Sequence, residues 1–161
     1  MKSSMKAVFV LALAAAVAIL GVSPALAQDK PADNMEILLE KIRADKKLLV
    51  AANMELTEAE AKAFWPVYDK FQDELFLVRA RTARAIKDFS DSYKDMGNEK
   101  ARALLEESMT IESLSLKLRQ AYLPKFRKAL PEKKVARYYQ IENKIQATLN
   151  FELAKEIPLV Q

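Results

Sequence analysis

Apolar residues recur at alternating steps of three and four along much of the chain, the pattern of helices with one buried face. The longest run lies between Leu56 and Tyr93, where nine positions form one continuous seam. They are Ala61, Phe64, Tyr68, Phe71, Leu75, Val78, Thr82, Ala85 and Phe89. This seam predicts a single long helix over 56–93.

Shorter stripes of the same spacing predict three further helices. One runs from Asp33 or Asn34 to about Asn53, one from Glu99 to about Ala129, and one from Leu130-Pro131 to a stop at Pro158. Their stripe residues are Met35, Leu38, Leu39, Ile42 and Leu49; Ala101, Leu104, Ile111, Leu118, Tyr122, Phe126 and Ala129; and Val135, Tyr138, Ile141, Ile145 and Leu149.

The sequence also predicts where these helices begin and where they bend. Thr57 followed by Glu60 forms a capping box for the long helix, and Asn98 is placed to cap the next one. Pro66 and Pro124 fall inside predicted helices, where each is expected to bend the axis. Since strand signals are absent, we expect an all-α fold of four helices, two of them long and proline-kinked, in an elongated hairpin-like bundle.

The N-terminal residues have the composition of a secretory signal peptide. Lys2 and Lys6 precede an apolar run from Ala7 to Val22, and a small-x-small pattern ends at Ala27. We expect cleavage after Ala27, a signal peptide over 1–27, a single helical domain over 28–161, and a periplasmic location.

Composition excludes several kinds of chemistry. The chain has 0 Cys and 0 His, so it lacks disulfides, a cysteine for lipid attachment and the commonest general base and metal ligand. Its formal net charge is +4, which falls to +2 once the two signal-peptide lysines are removed. Such a small charge on an exported chain argues against nucleic acid as a partner.

The start of the long helix recurs 74 residues later, at the start of the fourth helix. Five residue pairs are identical at this offset: Leu56/Leu130, Glu58/Glu132, Lys70/Lys144, Gln72/Gln146 and Leu75/Leu149. Phe64/Tyr138 and Trp65/Tyr139 are alike in kind. Either the match is an internal repeat, or two capped amphipathic helices have converged on one pattern.

A signal-bearing, cysteine-free, four-helix chain with two helix starts of this kind resembles the Spy/CpxP family of periplasmic chaperones and envelope-stress proteins, whose motif is Leu-Thr-x-x-Gln. The matching residues are Leu56, Thr57 and Glu60 in the first copy and Leu130, Pro131 and Glu132 in the second. Neither copy ends in glutamine, and the second lacks the threonine. The resemblance implies a thin, cradle-shaped homodimer whose concave face binds unfolded clients without ATP.

A mixed basic and apolar segment on the long helix is the candidate client-binding site. Its residues are Phe76, Leu77, Arg79, Arg81, Arg84 and Lys87. Charge of this kind steers encounter with a client, and apolar contact adds affinity. A second basic segment spans 117–137, and antiparallel packing of helices two and three would allow both to share one surface. The alternative is an ordinary solvated face.

No catalytic or metal-binding constellation stands out, so we expect neither an enzyme nor a cofactor. The carboxylate pairs Asp69/Asp73 and Asp88/Asp91 are typical of a solvated helix face. The four mature methionines, Met35, Met54, Met96 and Met109, are well separated and typical of core filling, although a carboxylate-only cation site stays open. Trp65, Tyr68, Tyr138 and Tyr139 are expected in the core rather than on an exposed platform.

Three functions remain open on the sequence. The leading hypothesis is an ATP-independent periplasmic chaperone or envelope-stress protein that binds unfolded or partly folded envelope proteins, as a homodimer. The second is a regulatory or sensory adaptor for a membrane-bound envelope partner. The third is a structural or lipid-associated envelope protein.

Overall fold

Four helices and one short 3₁₀ turn make up the residues that the computed structural model describes, 44–160. Helix α1 covers 44–54 of these residues, α2 is Glu58–Ser92, α3 is Asn98–Ala129 and α4 is Glu132–Glu156, with the 3₁₀ turn at Tyr93–Asp95. No strand occurs in this range, so the all-α prediction is confirmed. The predicted signal peptide and the predicted start and first stripe residues of α1 lie outside the described residues.

Helix α2 begins as its sequence predicts. Thr57 has extended backbone angles of φ −68° and ψ 164°, and its hydroxyl accepts the N–H of Glu60. The Glu60 carboxylate in turn accepts the N–H of Thr57 at 2.8 Å. Two backbone donors that the first turn leaves without partners are satisfied in this way, which confirms the capping box.

Helices α2 and α3 pack side by side and run antiparallel. The rings of Phe71 and Tyr122 lie 5.2 Å apart, and nearer the start of α2 Phe64 lies 5.7 Å from Phe126. Further along α2, the side chain of Arg81 reaches Glu107. As the residue number on α2 increases, the number of the contacting residue on α3 decreases. The two helices therefore form an antiparallel pair.

The predicted seam of α2 and the predicted stripe of α3 lie along these contacts. None of the nine seam residues of α2 is exposed, and the same holds for the stripe residues of α3 and α4. Tyr68 and Tyr138 are fully buried, which confirms the core prediction for both, whereas Trp65 and Tyr139 are only half-buried. Trp65 packs edge-on against Tyr68 with ring centroids 5.3 Å apart.

Several helix ends differ from the prediction by one residue. Helix α3 begins at Asn98 itself, and Gly97 occupies the cap position without a side-chain hydrogen bond, so the predicted Asn98 cap is wrong. Helix α4 begins at Glu132, and the carbonyl of Pro131 accepts the N–H of Val135 at 3.1 Å. Pro131 therefore caps the helix instead of occupying its first position. The stop before Pro158 is confirmed, because α4 ends at Glu156.

Pro66 lies inside α2 and Pro124 inside α3, and both helices continue through them. Each proline removes one backbone donor from the helix interior.

The chain divides into two compact units. One contains Leu56–Val135, with the aromatic core between α2 and α3; the other contains the described residues 44–55 together with 136–156. The boundary within α4 falls between Val135 and Ala136, inside a continuous helix. The prediction of one domain over 28–161 stays a prediction.

Within the second of these units, the buried face of α1 differs from the predicted one. Leu49 is exposed, whereas Lys46, Val50 and Met54, which follow each other at four-residue steps, are buried. Lys46 is buried because its ammonium group forms an ion pair of 2.7 Å with the Glu142 carboxylate of α4. The predicted stripe assigned the buried face by hydrophobicity alone and so missed a lysine whose charge is satisfied by a partner 96 residues away.

Candidate functional site

The six residues of the predicted client-binding segment lie on the second half of α2 and differ in exposure. Phe76 is 39% exposed and Leu77 is 68% exposed. Arg81, Arg84 and Lys87 are exposed as well, whereas Arg79 is half-buried. Arg79 therefore lies beside the seam and is less accessible than the other five.

Helical geometry arranges the accessible residues in two lines. Leu77 and Arg84 are seven residues apart, about two turns, so they lie one above the other. Phe76 and Lys87 are eleven residues apart, about three turns, and form a second line. Each line thus contains one apolar side chain and one cation. Together they give one face of the helix both apolar contact area and positive charge.

Arg81 is engaged with the neighbouring helix. Its guanidinium forms two parallel bonds to the Glu107 carboxylate of α3, one of them 2.7 Å between Nη2 and Oε2. The hydrogen bond from Arg81 is the main reason that the pKa of Glu107 is lowered, and the charges of Arg81 and Arg84 add to it. The same bond raises the pKa of Arg81. Arg81 therefore joins α2 to α3 and is not available to a ligand without losing this partner.

Lys87 and Arg84 differ in whether they have an ion-pair partner. Lys87 donates to Asp91 one turn later, and this hydrogen bond raises the pKa of Lys87. Arg84 makes no salt bridge with any residue between 44 and 160. Of the predicted cations, Arg84 is the one that is exposed and makes no salt bridge in the described structure, although its charge acts on Glu107.

A second group of exposed apolar side chains lies on α3. Leu105, Met109 and Leu116 are 59%, 58% and 57% exposed, and we call them the α3 stripe. They follow each other at steps of four and seven, so they share a face that is separate from the buried residues Ile111, Tyr122 and Phe126. The sequence contains this spacing as well, but the more extensive apolar stripe on the buried face of α3 makes it hard to recognise.

The second basic segment, 117–137, does not lie opposite the first. The contacts of Arg81 with Glu107 and of Lys100 with Asp88 place 79–88 beside 100–107. Cations of the second segment have their own partners: Lys125 lies 3.8 Å from the centre of the Tyr122 ring, and Arg127 makes a bidentate pair with Glu132. The two basic segments are thus separate features of the fold.

The motif residues of the two helix starts have structural roles. Thr57 and Glu60 close the capping box, Leu130 is buried, and Pro131 caps α4. Leu56 is half-buried and Glu132 is exposed. These residues fix where α2 and α4 begin.

A polar contact at the aromatic core shifts the pKa of one tyrosine. The Tyr122 hydroxyl donates to Oε1 of Glu74 at 2.5 Å. Burial, followed by this bond to Glu74, raises the pKa of Tyr122 to about 12. The tyrosine is thereby kept protonated, which suits a structural hydrogen bond rather than acid–base chemistry near neutral pH.

Residues 44–160 lack the features of two other kinds of site. They contain no cluster of three or more carboxylates that is arranged to hold a metal ion. None of their helices has an apolar stretch long enough to cross a bilayer. Asp88 and Asp91 each form an ion pair with a lysine, Lys100 and Lys87 respectively.

No protein-family model, curated protein or solved structure matches this chain.

Proposed function

We propose that the mature chain is an ATP-independent periplasmic chaperone or envelope-stress protein that binds non-native polypeptide through the basic and apolar face of α2. The proposal includes export with cleavage after Ala27, a homodimer, and the absence of a cofactor or catalytic activity. It also includes bends at Pro66 and Pro124 that shape α2 and α3 into an elongated hairpin-like bundle.

One observation carries the proposal. Phe76 and Leu77 are exposed apolar side chains, and Arg84, which makes no salt bridge among residues 44–160, lies two turns from Leu77 on the same line. Isolated exposed apolar residues are common, but their combination with an available cation on one face favours loose binding of unfolded chains. Such chains expose apolar side chains and charges in no fixed order, so a rigid complementary pocket is not needed.

Aggregation of two unrelated proteins, followed by light scattering, tests the proposal. The mature chain is added at equal molarity and without ATP. A chaperone suppresses scattering of both proteins, whereas an adaptor for one envelope partner suppresses neither. If the chain suppresses the scattering of neither protein, the result contradicts the proposal and favours an adaptor for one dedicated partner.

Variants of the α2 face separate client binding from nonspecific effects. Leu77→Ser and Arg84→Glu should each weaken suppression, because one removes contact area and the other reverses the available charge. Phe151→Ser is the matched control for Leu77→Ser, since Phe151 is 63% exposed, close to the 68% of Leu77, but lies on α4. Circular dichroism of all three variants tests whether they keep their helices. Equal loss of activity in the Phe151 variant would remove the assignment to α2.

A further inference from the structure

The second half of α2, the turn after it and the first part of α3 differ from the rest of the helix pair. We call residues 73–110 the distal arm. No side chain in the distal arm is buried. The preceding nine residues of α2, 64–72, contain four buried side chains: Phe64, Tyr68, Phe71 and Gln72.

The seam inside the distal arm provides little apolar contact. Leu75, Val78 and Phe89 are only half-buried, and the positions between them are the small residues Thr82 and Ala85. The hydrophobic contribution scales with the apolar area removed from water, at roughly 25 cal/mol per Å². A half-buried seam of small residues therefore holds α2 and α3 together less strongly than the aromatic core does.

Two ion pairs also join α2 to α3 in the distal arm. Arg81 binds Glu107 in a bidentate pair, and the Lys100 ammonium lies 3.7 Å from the Asp88 carboxylate. The four side chains are between 30% and 49% exposed. Charges this exposed interact through water and are screened by salt, with a Debye length of about 10 Å at 0.1 M and about 3 Å at 1 M.

The aromatic core has a different dependence on salt. Phe71, Tyr122 and Phe126 pack ring against ring at centroid distances of 5.2 to 6.3 Å. These contacts contain no charge pair that salt can screen. Rising ionic strength therefore weakens the ion pairs of the distal arm more than the ring contacts of the aromatic core.

We propose that the distal arm opens as a separate unit whose closure weakens as ionic strength rises, with the Arg81–Glu107 pair as its latch. Regions with few buried apolar contacts open at lower free energy than the core around them. Opening uncovers Leu75, Val78 and Phe89 next to the exposed Phe76 and Leu77. A resulting gain in client binding rests on the proposed function, whereas the opening itself does not.

Hydrogen exchange read by mass spectrometry tests the opening without reference to any client. The full mature chain is compared in about 0.05 M and about 0.5 M NaCl, a range over which the Debye length shrinks severalfold. Backbone amides of 75–92 and 98–110 should exchange severalfold faster at the higher salt concentration. Amides of 61–72 and 111–129 should keep their rates, and they also correct for any effect of salt on exchange chemistry. Equal changes in both regions, or no change in the distal arm, overturn the proposal.

A charge-neutral variant tests the latch. Arg81→Gln combined with Glu107→Gln should give fast exchange in the distal arm already at low salt, with the salt dependence reduced severalfold. Arg127→Gln combined with Glu132→Gln is the matched control, because it removes another exposed bidentate pair outside the distal arm. A salt response that persists unchanged without Arg81 and Glu107 overturns their role as the latch. Light scattering with clients is measured separately, so a failed chaperone assay leaves the exchange result interpretable.

Discussion

Glu60 and Lys134 occupy the same position of two different helices, and their side chains form an ion pair of 2.5 Å. Each is the third residue after its cap, Thr57 in α2 and Pro131 in α4. The two residues are 74 positions apart, which is the offset at which the two helix starts match. A single carboxylate thus accepts the N–H of Thr57 at the start of α2 and the ammonium group of α4.

Removing either partner of this pair should lower the melting temperature. Glu60→Gln loses the ion pair and keeps an oxygen for the cap, whereas Lys134→Met loses only the ion pair. Since both act on one contact, the double variant should lose less than the sum of the single losses in thermal unfolding. Lys133→Met, an exposed neighbour on the same turn, is the control and should leave the melting temperature unchanged. Strict additivity of the two changes argues against the pair.

The same contact makes stability depend on acid. The hydrogen bond from Lys134, followed by that from the Thr57 backbone, lowers the pKa of Glu60 below 4.5. A depressed pKa means that the contribution is present above the unfolded-state value and is lost as pH falls through the folded-state value. Glu107 and Glu132 are shifted in the same direction by Arg81 and Arg127. The melting temperature should therefore decrease as the pH is lowered from about 4.5. This decrease should be less steep in Glu60→Gln than in the unaltered chain.

Local signals made α2 predictable. The cap at Thr57 and the seam through Phe64, Tyr68 and Phe71 depend on residues within a turn or two of each other, so the sequence contains them directly. The match at an offset of 74 residues pairs Glu60 with Lys134. It did not show that they touch, because a contact across 74 residues depends on how the helices pack.

The same limit explains the errors. Burial of Lys46 in place of Leu49 requires Glu142, whose position no local pattern reveals. In the candidate site, the sequence identified the cations as a group. It could not show that Arg81 pairs with Glu107 whereas Arg84 forms no salt bridge among residues 44–160, because that difference depends on how α2 and α3 pack. The α3 stripe was missed because Leu105, Met109 and Leu116 compete with a stronger seam on the same helix.

Phe126 should be among the most costly residues of the core to truncate. It is fully buried and packs against Phe64 and Phe71 with centroids 5.7 Å away. Phe126→Ala should lower the free energy of unfolding by about 3 to 5 kcal/mol, measured by urea denaturation. Phe76→Ala makes the same chemical change at an exposed site and should cost less than about 1 kcal/mol. Similar losses for the two variants would contradict the assignment of the core.

The buried pair of Lys46 and Glu142 should tolerate joint replacement better than the loss of one partner. Lys46→Met leaves the Glu142 carboxylate buried with the Tyr138 hydroxyl, 3.1 Å away, as a remaining donor. Losing one partner of a buried pair typically costs about 3 to 5 kcal/mol, whereas apolar replacement of both is often neutral. Lys46→Met combined with Glu142→Leu should therefore regain most of the stability that Lys46→Met loses. Lys155→Met, which removes an exposed pair with Glu152, should have little effect and serves as control.

Tyr122 should make the protein lose stability at alkaline pH. Burial and the bond to Glu74 raise its pKa from 10.0 to about 12. A raised pKa means that the unfolded chain releases the phenolic proton first, so the contribution is complete below pH 10 and is lost between pH 10 and 12. At about 1.4 kcal/mol for each pH unit, the loss is roughly 2 to 3 kcal/mol. Urea midpoints across this range should decline less steeply in Tyr122→Phe than in the unaltered chain. Tyr93→Phe, which replaces a half-buried tyrosine outside the aromatic core, controls for the ionisation of other tyrosines and lysines and should follow the unaltered chain. An equally steep decline in Tyr122→Phe would show that other groups cause the alkaline loss.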